Sequence, residues 1–289
     1  MDIRVLEYYL MVAREESITK AAGLLHVTQP TLSRQLMQLE EELGVKLFNR
    51  TNHSIVLTDE GLILKRRAQE IVSLSNKTKQ DLTSESTEIS GEIAIGCGEF
   101  QSISVLVDIM KRFREANPLV TFKIFSSNST SIKERIESGL LDLGLIFDYV
   151  DISKYEYVRV PQDEEWGVLV PDSSELADKE FVTPEDIREL PLIISERSLL
   201  DNDLADWIGK GYEELNIICT YNLMYNAAMM VAGQMGVAGC IRLGCEYEGT
   251  RFIPARPKVE NRAVFAWKKA SIQSKAVTAF IDFLEIYIK

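Results

Sequence analysis

Gln29, Thr31, Ser33, Arg34 and Gln38 share one short stretch in which no acidic residue occurs before Glu40. Amides match the edge of adenine, a guanidinium matches guanine, and hydroxyls match phosphate oxygens, so this set has the chemistry of major-groove reading. Two further groups, Gly98, Glu99, Gln101 and Ser102, then Ser127, Asn128, Ser129 and Thr130, stand where strand patterns give way to helix patterns. Free N–H groups and hydroxyls gather at such points, which suits a small anion or an amphoteric metabolite. Glu99 on the same rim argues against a simple dianion. Catalytic chemistry is poorly provided for. The only histidines, His26 and His53, lie near the N-terminus, which removes Ser–His and Cys–His nucleophile schemes and most metal sites beyond them. There is no GxxxxGK[ST] and no GxGxxG opening a helix, and Glu164-Glu165 reads as solvated surface. The expectation is a chain that is not an enzyme and that needs no metal or cofactor.

The polar face needs a rigid helix behind it. Ile3, Leu6, Tyr9, Leu10 and Ala13 recur at helical spacing. Ser17 suits the cap of a second helix with an apolar stripe of Ile18, Ala21, Ala22 and Leu25, and the small alanines allow a close crossing. After the break His26-Val27-Thr28, Thr28 can cap a third helix with Pro30 in its first turn and Leu32, Leu36, Leu39 and Leu43 turned inward. A hairpin then runs from Leu47-Phe48-Asn49-Arg50 to Ile55-Val56-Leu57 through a turn at Thr51-Asn52-His53-Ser54. Periodicity alone leaves open a small helical interaction module with a merely solvated face. The helix-turn-helix reading makes helix three the reader and the hairpin a wing.

The residues themselves resemble a family. Ser17-Ile18-Thr19-Lys20-Ala21-Ala22, Leu25 through Leu36, Leu39 through Arg50, and Leu57-Thr58-Asp59-Glu60-Gly61 are similar to the LysR-type transcriptional regulators, nearly without gaps over the first 61 residues. The resemblance implies a winged helix-turn-helix at 1–58, with Ser17, Thr19, Lys20, Thr28, Gln29, Pro30, Thr31, Ser33, Arg34 and Gln38 at double-stranded operator DNA, and Arg50 and His53 at the wing. Many members carry more basic wings than Asn52-His53 provides. RNA polymerase is a further partner that the resemblance implies.

From Thr58 a helical pattern runs to about Glu85, within a linker segment of residues 59–89. Leu64, Ala68, Ile71, Ser75, Thr78 and Leu82 alternate spacings of four and three, which is a coiled-coil seam for a homodimer. Two-fold symmetry doubles the base pairs read. The resemblance implies the same dimer, in some members paired again into a tetramer. Ser84-Glu85-Ser86-Thr87-Glu88 reads as the hinge into the next domain.

Residues 90–289 alternate strand and helix signals, the mark of an α/β domain with largely parallel strands. Strands are expected at Glu92–Cys97, Val120–Phe125, Leu143–Phe147, Trp166–Val170, Leu192–Ser195, Asn216–Tyr221, Val237–Ile241 and Ala263–Trp267. Helices are expected at Ile103–Arg114, at Ile132–Leu140 and at the C-terminus, where Ile272, Ala276, Phe280, Phe283 and Tyr287 share a face. Two crossings, near 160 and 268, would divide this domain into lobe I (90–160 and 268–289) and lobe II (161–267), with a cleft between. Gly139-Leu140-Leu141-Asp142-Leu143-Gly144-Leu145 and Val231 through Val237 resemble the family's effector domain, which is similar to periplasmic binding proteins. Gly239-Cys240-Ile241-Arg242 departs from the family's apolar run ending in Pro. The strand-end rule adds Phe147, Ser195 and Asn222 to the effector rim already described. The fold class is thus α plus α/β: reading head, long linker helix, two-lobed effector domain.

Bulk composition agrees. The chain has 289 residues, 46% hydrophobic and 26% charged, so two or more domains of ordinary globular type are expected. Residues 1–67 hold nine Lys/Arg and nine Asp/Glu, so the rest of the chain carries the entire net charge of −12. A relatively basic head on an acidic body is consistent with local nucleic-acid contact. No signal-peptide pattern opens the sequence. Leu215–Ile241 is uncharged but interrupted by Asn216, Asn222, Asn226, Gly233, Gln234, Gly236 and Gly239, so it reads as strand, helix and strand and not as a membrane span. A cytoplasmic protein is expected, with Cys97, Cys219, Cys240 and Cys245 as reduced thiols. One alternative regulatory chemistry is an oxidisable Cys97 beside the pocket.

Overall fold

The computed structural model describes the chain apart from residues 51–54, 84–87, 100, 148–152, 197–202, 270–272 and 289, and apart from the side chains of 50, 80–83, 203, 212, 260 and 261. The chain divides into two compact units, Met1–Glu85 and Ser86–Lys289.

The first unit is α1 (Ile3–Glu15), α2 (Ile18–Leu24), α3 (Gln29–Leu43), the hairpin β1 (Phe48–Arg50) and β2 (Ile55–Leu57), and α4 (Asp59–Thr83). Asp2 and Ser17 cap α1 and α2 by accepting from Arg4 N and Lys20 N. At the turn His26 takes a left-handed φ of 55°, and Val27 N reaches back to Ala22 O, which closes the end of α2 and aims α3. Leu6, Tyr9, Val12, Ala21, Leu32, Leu36 and Leu39 form the core. Leu43, expected inside, is 38% exposed, and its inward place is taken by the carboxylate of Glu40. Gly61 lets α4 press against the hairpin: a Cβ there would stand 2.3 Å from the Leu47 carbonyl oxygen. Tyr9 also donates its hydroxyl to Gly61 O at 2.5 Å.

The second unit carries β3 (Gly91–Cys97), α5 (Ile103–Ala116), β4 (Val120–Ser126), α6 (Ser129–Glu137), β5 (Leu143–Phe147), β6 (Tyr155–Pro171), α7 (Pro184–Ile187), β7 (Leu192–Ser195), α8 (Asp203–Ile208), β8 (Ile217–Tyr221), α9 (Met224–Ala232), β9 (Val237–Ile241), β10 (Thr250–Pro254), β11 (Glu260–Lys268) and α10 (Lys275–Ile288). The strand order is β4-β3-β5-β11-β6-β9-β7-β8, with β10 on β6. β3, β4 and β5 pair in parallel, as do β7 with β8 and β9, while β6 and β11 are antiparallel to each other and to their flanking partners. Most of the expected strands fall into place; β10 was missed, and α6 begins three residues before the expected Ile132 because Asn128 caps it.

Two strands, β6 and β11, stand where the two crossings between lobes were expected. β6 is 17 residues long. Its first half pairs with β11 beside lobe I and its second half with β9 and β10 in lobe II. Ala263–Trp267 pairs with β5 and so belongs to the lobe I sheet, which moves the return crossing from 268 back to Glu260–Arg262, where the register shifts. Lobe I packs α5 and α10 over the sheet, with Phe113 and Phe280 edge to face at 5.1 Å. Ala276 and Phe280 are buried as expected, whereas Tyr287 is 38% exposed and Ile272 lies outside the described residues. Lobe II has cores of its own around Trp166, Val168 and Ile194, and around Ala227, Ala228 and Val231. Leu215–Ile241 forms strand, helix and strand, and no helix among the described residues is long and apolar enough to cross a membrane.

Candidate nucleic-acid interface and effector cleft

The outward face of α3 exposes Gln29, Pro30, Thr31, Arg34 and Gln38, with Ser33 half-buried at its margin. Thr28 caps the helix, its Oγ1 accepting from Thr31 N at 3.4 Å and pairing with Thr31 Oγ1 at 2.8 Å. Thr19 and Lys20 stand exposed on the first turn of α2, beside the capping hydroxyl of Ser17. Met37, missed in the sequence, is 42% exposed on the same face of α3 and offers a thymine methyl an apolar partner. At the wing, the Arg50 side chain and His53 lie outside the described residues.

The wing hangs on a buried charge. Glu40 accepts from Leu47 N at 2.8 Å, Phe48 N at 3.4 Å and Lys46 Nζ at 2.9 Å. Burial by itself would raise this carboxyl, but the bond from Lys46 and those two N–H groups outweigh it and hold Glu40 below its ordinary value.

On α4 the expected seam splits. Ala68 is fully buried in the core of its own unit, with Leu64 and Val72 packed against the same core. A side chain enclosed as Ala68 is cannot also face a partner, so Ala68 is corrected from seam to core, while Leu64 is half-buried at its margin. Ile63, Ile71 and Leu74 are instead 62%, 37% and 41% exposed. Thr78 is exposed and donates its hydroxyl to Leu74 O, Ser75 is half-buried, and the side chain of Leu82 is outside the described residues.

In the second unit, the two helix starts expected to receive an effector are differently furnished. The first turn of α5 is occupied: Glu164 on β6 accepts from Gln101 N and Ser102 N, each at 2.9 Å. Glu164 is 0% exposed, which corrects its reading as surface. The signal was present in the period-two pattern, since Glu164 shares its strand face with Trp166, Val168 and Val170. Across the cleft, Glu99 accepts from Met224 N at 2.9 Å, so a lobe I carboxylate caps α9 of lobe II. Burial above all raises the phenols of Tyr221 and Tyr247; Cys240 and then Glu99 add to it at Tyr221, and a hydrogen bond with Cys245 and then Glu99 add to it at Tyr247.

Ser102 and Ser129 are 0% and 3% exposed, and neither hydroxyl finds a hydrogen-bond partner among the described residues. Asn128 is spent as the cap of α6, accepting from Ser131 N. Gly98, Ser127 and Ser195 are half-buried, and Thr130 and Asn222 are exposed. Phe147 does not open onto the rim, because it is 1% exposed within the lobe I core. A cavity of about 720 Å³, ordinary for a small-molecule site, runs from Gln101 and Met224 past Cys240, Arg242 and Tyr247 to Phe252. Its lobe II lining was not foreseen, because it belongs to the segment after β9 where the family resemblance fails.

Cys97 is poorly placed for the alternative redox chemistry. Its thiol is 2% exposed and donates to Gly98 O at 2.9 Å. Burial, and then the charge of Glu164, push it up to about 12, so the reactive thiolate is suppressed.

A helix-turn-helix with an uncommitted polar reading face, followed by a two-lobed α/β unit with a cavity lined by lobe II and by Gln101 of lobe I, defines a ligand-responsive DNA-binding regulator. Two family models match: "Bacterial regulatory helix-turn-helix protein, lysR family" over residues 3–62, and "LysR substrate binding domain" over residues 86–287. The chain belongs to the LysR family of bacterial transcriptional regulators, with an N-terminal DNA-binding domain and a C-terminal effector-binding domain. Among its relatives, the uncharacterized HTH-type transcriptional regulator YwbI of Bacillus subtilis (strain 168) is 30% identical over 100% of this chain and 97% of its own. The HTH-type transcriptional activator IlvY of Salmonella typhimurium is 33% identical over 50% of this chain and 49% of its own. Full-length CbnR, in the crystal structure with its target DNA, covers 99% of this chain and 100% of its own, with a TM-score of 0.74 and 19% identity, a likeness of fold.

Proposed function

We propose that this chain reads a two-fold symmetric operator as a homodimer, alone or paired into a tetramer, and that a small molecule held between its own lobes alters that reading. The observation that supports it best is the face of α3, where Gln29, Thr31, Arg34 and Gln38 are all exposed on a helix whose other side is locked into the core. Lys20 and Thr19 would meet the phosphate backbone, and Arg50 and His53 the backbone at the wing. Exposed Ile63, Ile71 and Leu74 supply an apolar stripe for self-association along α4. The effector would bind at the rim of Gly98, Gln101, Ser102, Ser127, Ser129, Thr130, Ser195 and Asn222, of which Gln101 also lines the cavity. No chemical step is assigned to the chain. It would act in the bacterial cytoplasm, with RNA polymerase as its downstream partner. Selection of bound duplexes from a random pool tests the reading: a recovered sequence with two inverted half-sites is expected, and a pool with no enriched sequence would overturn it.

A further inference from the structure

The cavity that follows β9 is separate from the rim, with which it shares only Gln101. Its lining draws on both faces of β10, because Thr250, Phe252 and Pro254 alternate along that strand with Arg251 and Ile253. β6 is the one strand that β10 pairs with, so the cavity passes between the two faces around the outer edge of β10. On the inner edge, Ala255 N donates to Trp166 O and Asp172 N to Gly249 O, each at 3.1 Å. Antiparallel bonding alternates, so Thr250, Phe252 and Pro254 turn their main-chain groups outward. Most of that outer edge is closed. Val182 N donates to Pro254 O at 2.9 Å, and Thr250 N folds back onto Tyr247 O at 3.1 Å. Between these two closures, among the described residues, stand the N–H and carbonyl of Phe252 and the carbonyl of Thr250 without partners. The open edge is about one residue long.

The two faces beside it differ. Phe252 lies on the α9 face with Leu169, which it opposes directly, and with Met224, Cys240 and Leu243. On the other face Asp172 and Arg251 are diagonal neighbours, yet neither side chain has a partner among the described residues, and Glu180 has none either. Lys179 is by contrast paired with Asp186, and Arg242 with Glu165.

We propose that the outer edge of β10 is a binding site for a single α-amino acid with a large apolar side chain. Its ammonium donates to the Phe252 carbonyl and its carboxylate accepts from the Phe252 N–H, the two bonds that a facing residue in a sheet exchanges. A residue so placed turns its side chain to the same face as Phe252, onto Leu169, Met224, Cys240 and Leu243. Its charges meet uncommitted groups of both signs, Arg251 with Asp172 and Glu180, so a plain carboxylate or a plain amine suits the edge less well. A longer peptide would collide with Val182 at one end and the Tyr247 turn at the other.

The full chain would be melted with leucine, methionine and phenylalanine, and with phenylpropanoate and phenylethylamine, which each keep one charged end of phenylalanine. At least one amino acid is expected to raise the melting temperature by several degrees, with phenylpropanoate and phenylethylamine inactive. The same amino acid is expected to slow hydrogen exchange at the Phe252 amide. No rise with any of the three, an equal rise with phenylpropanoate or phenylethylamine, or a rise that leaves exchange at Phe252 unchanged would each overturn the proposal. Phe252→Leu is expected to keep the response and Phe252→Pro to lose it, because only proline removes the outward N–H, which the sheet does not use. A folded Phe252→Pro chain that still responds would overturn it equally. If that variant does not fold, exchange at Phe252 in the wild type decides. Operator selection does not involve this edge, so the DNA-reading proposal stands or falls separately.

Discussion

Single side chains of this head divide into those that read and those that hold. Arg34 is exposed at the centre of the α3 face and contributes nothing to the core. Arg34→Ala is therefore expected to weaken operator binding by about 1–3 kcal/mol, with a smaller loss on random DNA, as read by fluorescence anisotropy on both. Equal losses on the two duplexes would make Arg34 a phosphate contact. Glu40, six residues along the same helix, holds. It bridges α3 to the wing through two backbone N–H groups and Lys46. Its carboxyl lies below the ordinary value of 4.5 in the folded head. That stabilisation is complete above about pH 4.5 and is lost as pH falls through the lower folded-state value. Glu40→Gln is expected to destabilise the head by about 1–3 kcal/mol near neutrality and to flatten its acid dependence between pH 5 and 3, measured by urea unfolding. An unchanged acid limb in the variant would place the titrating group elsewhere.

Elements decide which face of a residue counts. On α4 a four-and-three spacing marks one row through Leu64, Ala68 and Ile71, yet packing of α1 against α4 encloses Ala68 and leaves Ile71 37% exposed. Two substitutions on one helix should therefore fail differently. Ala68→Asp places an unpaired charge in the core and is expected to unfold the head, with loss of its helical signal. Leu74→Asp, or Ile71→Asp, is expected to leave the head folded but to shift sedimentation from dimer to monomer, with operator affinity falling alongside. A folded dimer in both exposed-face variants would move the interface off this helix.

At the scale of the whole chain, the two units have separate cores, with Leu36 and Tyr9 in one and Phe280 and Trp166 in the other. Calorimetry on the full chain is expected to show two transitions. Operator DNA should raise the one assigned to residues 1–85, and a cleft ligand the one assigned to residues 86–289, each by mass action. A single transition moved equally by both would mean that the units melt as one. Lobes joined by the unbroken strands β6 and β11 have less freedom than lobes joined by loops, so the ligand-linked transition should embrace both lobes at once.

Local pattern was enough for much of this. Ser17, Thr28 and Thr58 cap the helices that their positions announce, and β3, β5, β7 and β9 follow from runs of apolar residues between turns. The run from Ser17 to Gly61 identified the family because a reading head is built from contiguous residues, each constrained by its immediate neighbours. The cleft is different. Glu164 lies about sixty residues from the N–H groups it occupies, and Glu99 reaches Met224 across a separation of 125. No periodicity connects such pairs; they meet only because β6 runs through both lobes and sets the β3–α5 turn against it. The same dependence explains why Phe147, correctly placed at a strand end, faces the core instead of the rim. The sequence alone determined that there is a reader, a linker helix and a two-lobed sensor. The tertiary structure decided which helix starts remain open, because their occupancy is settled by carboxylates remote in sequence.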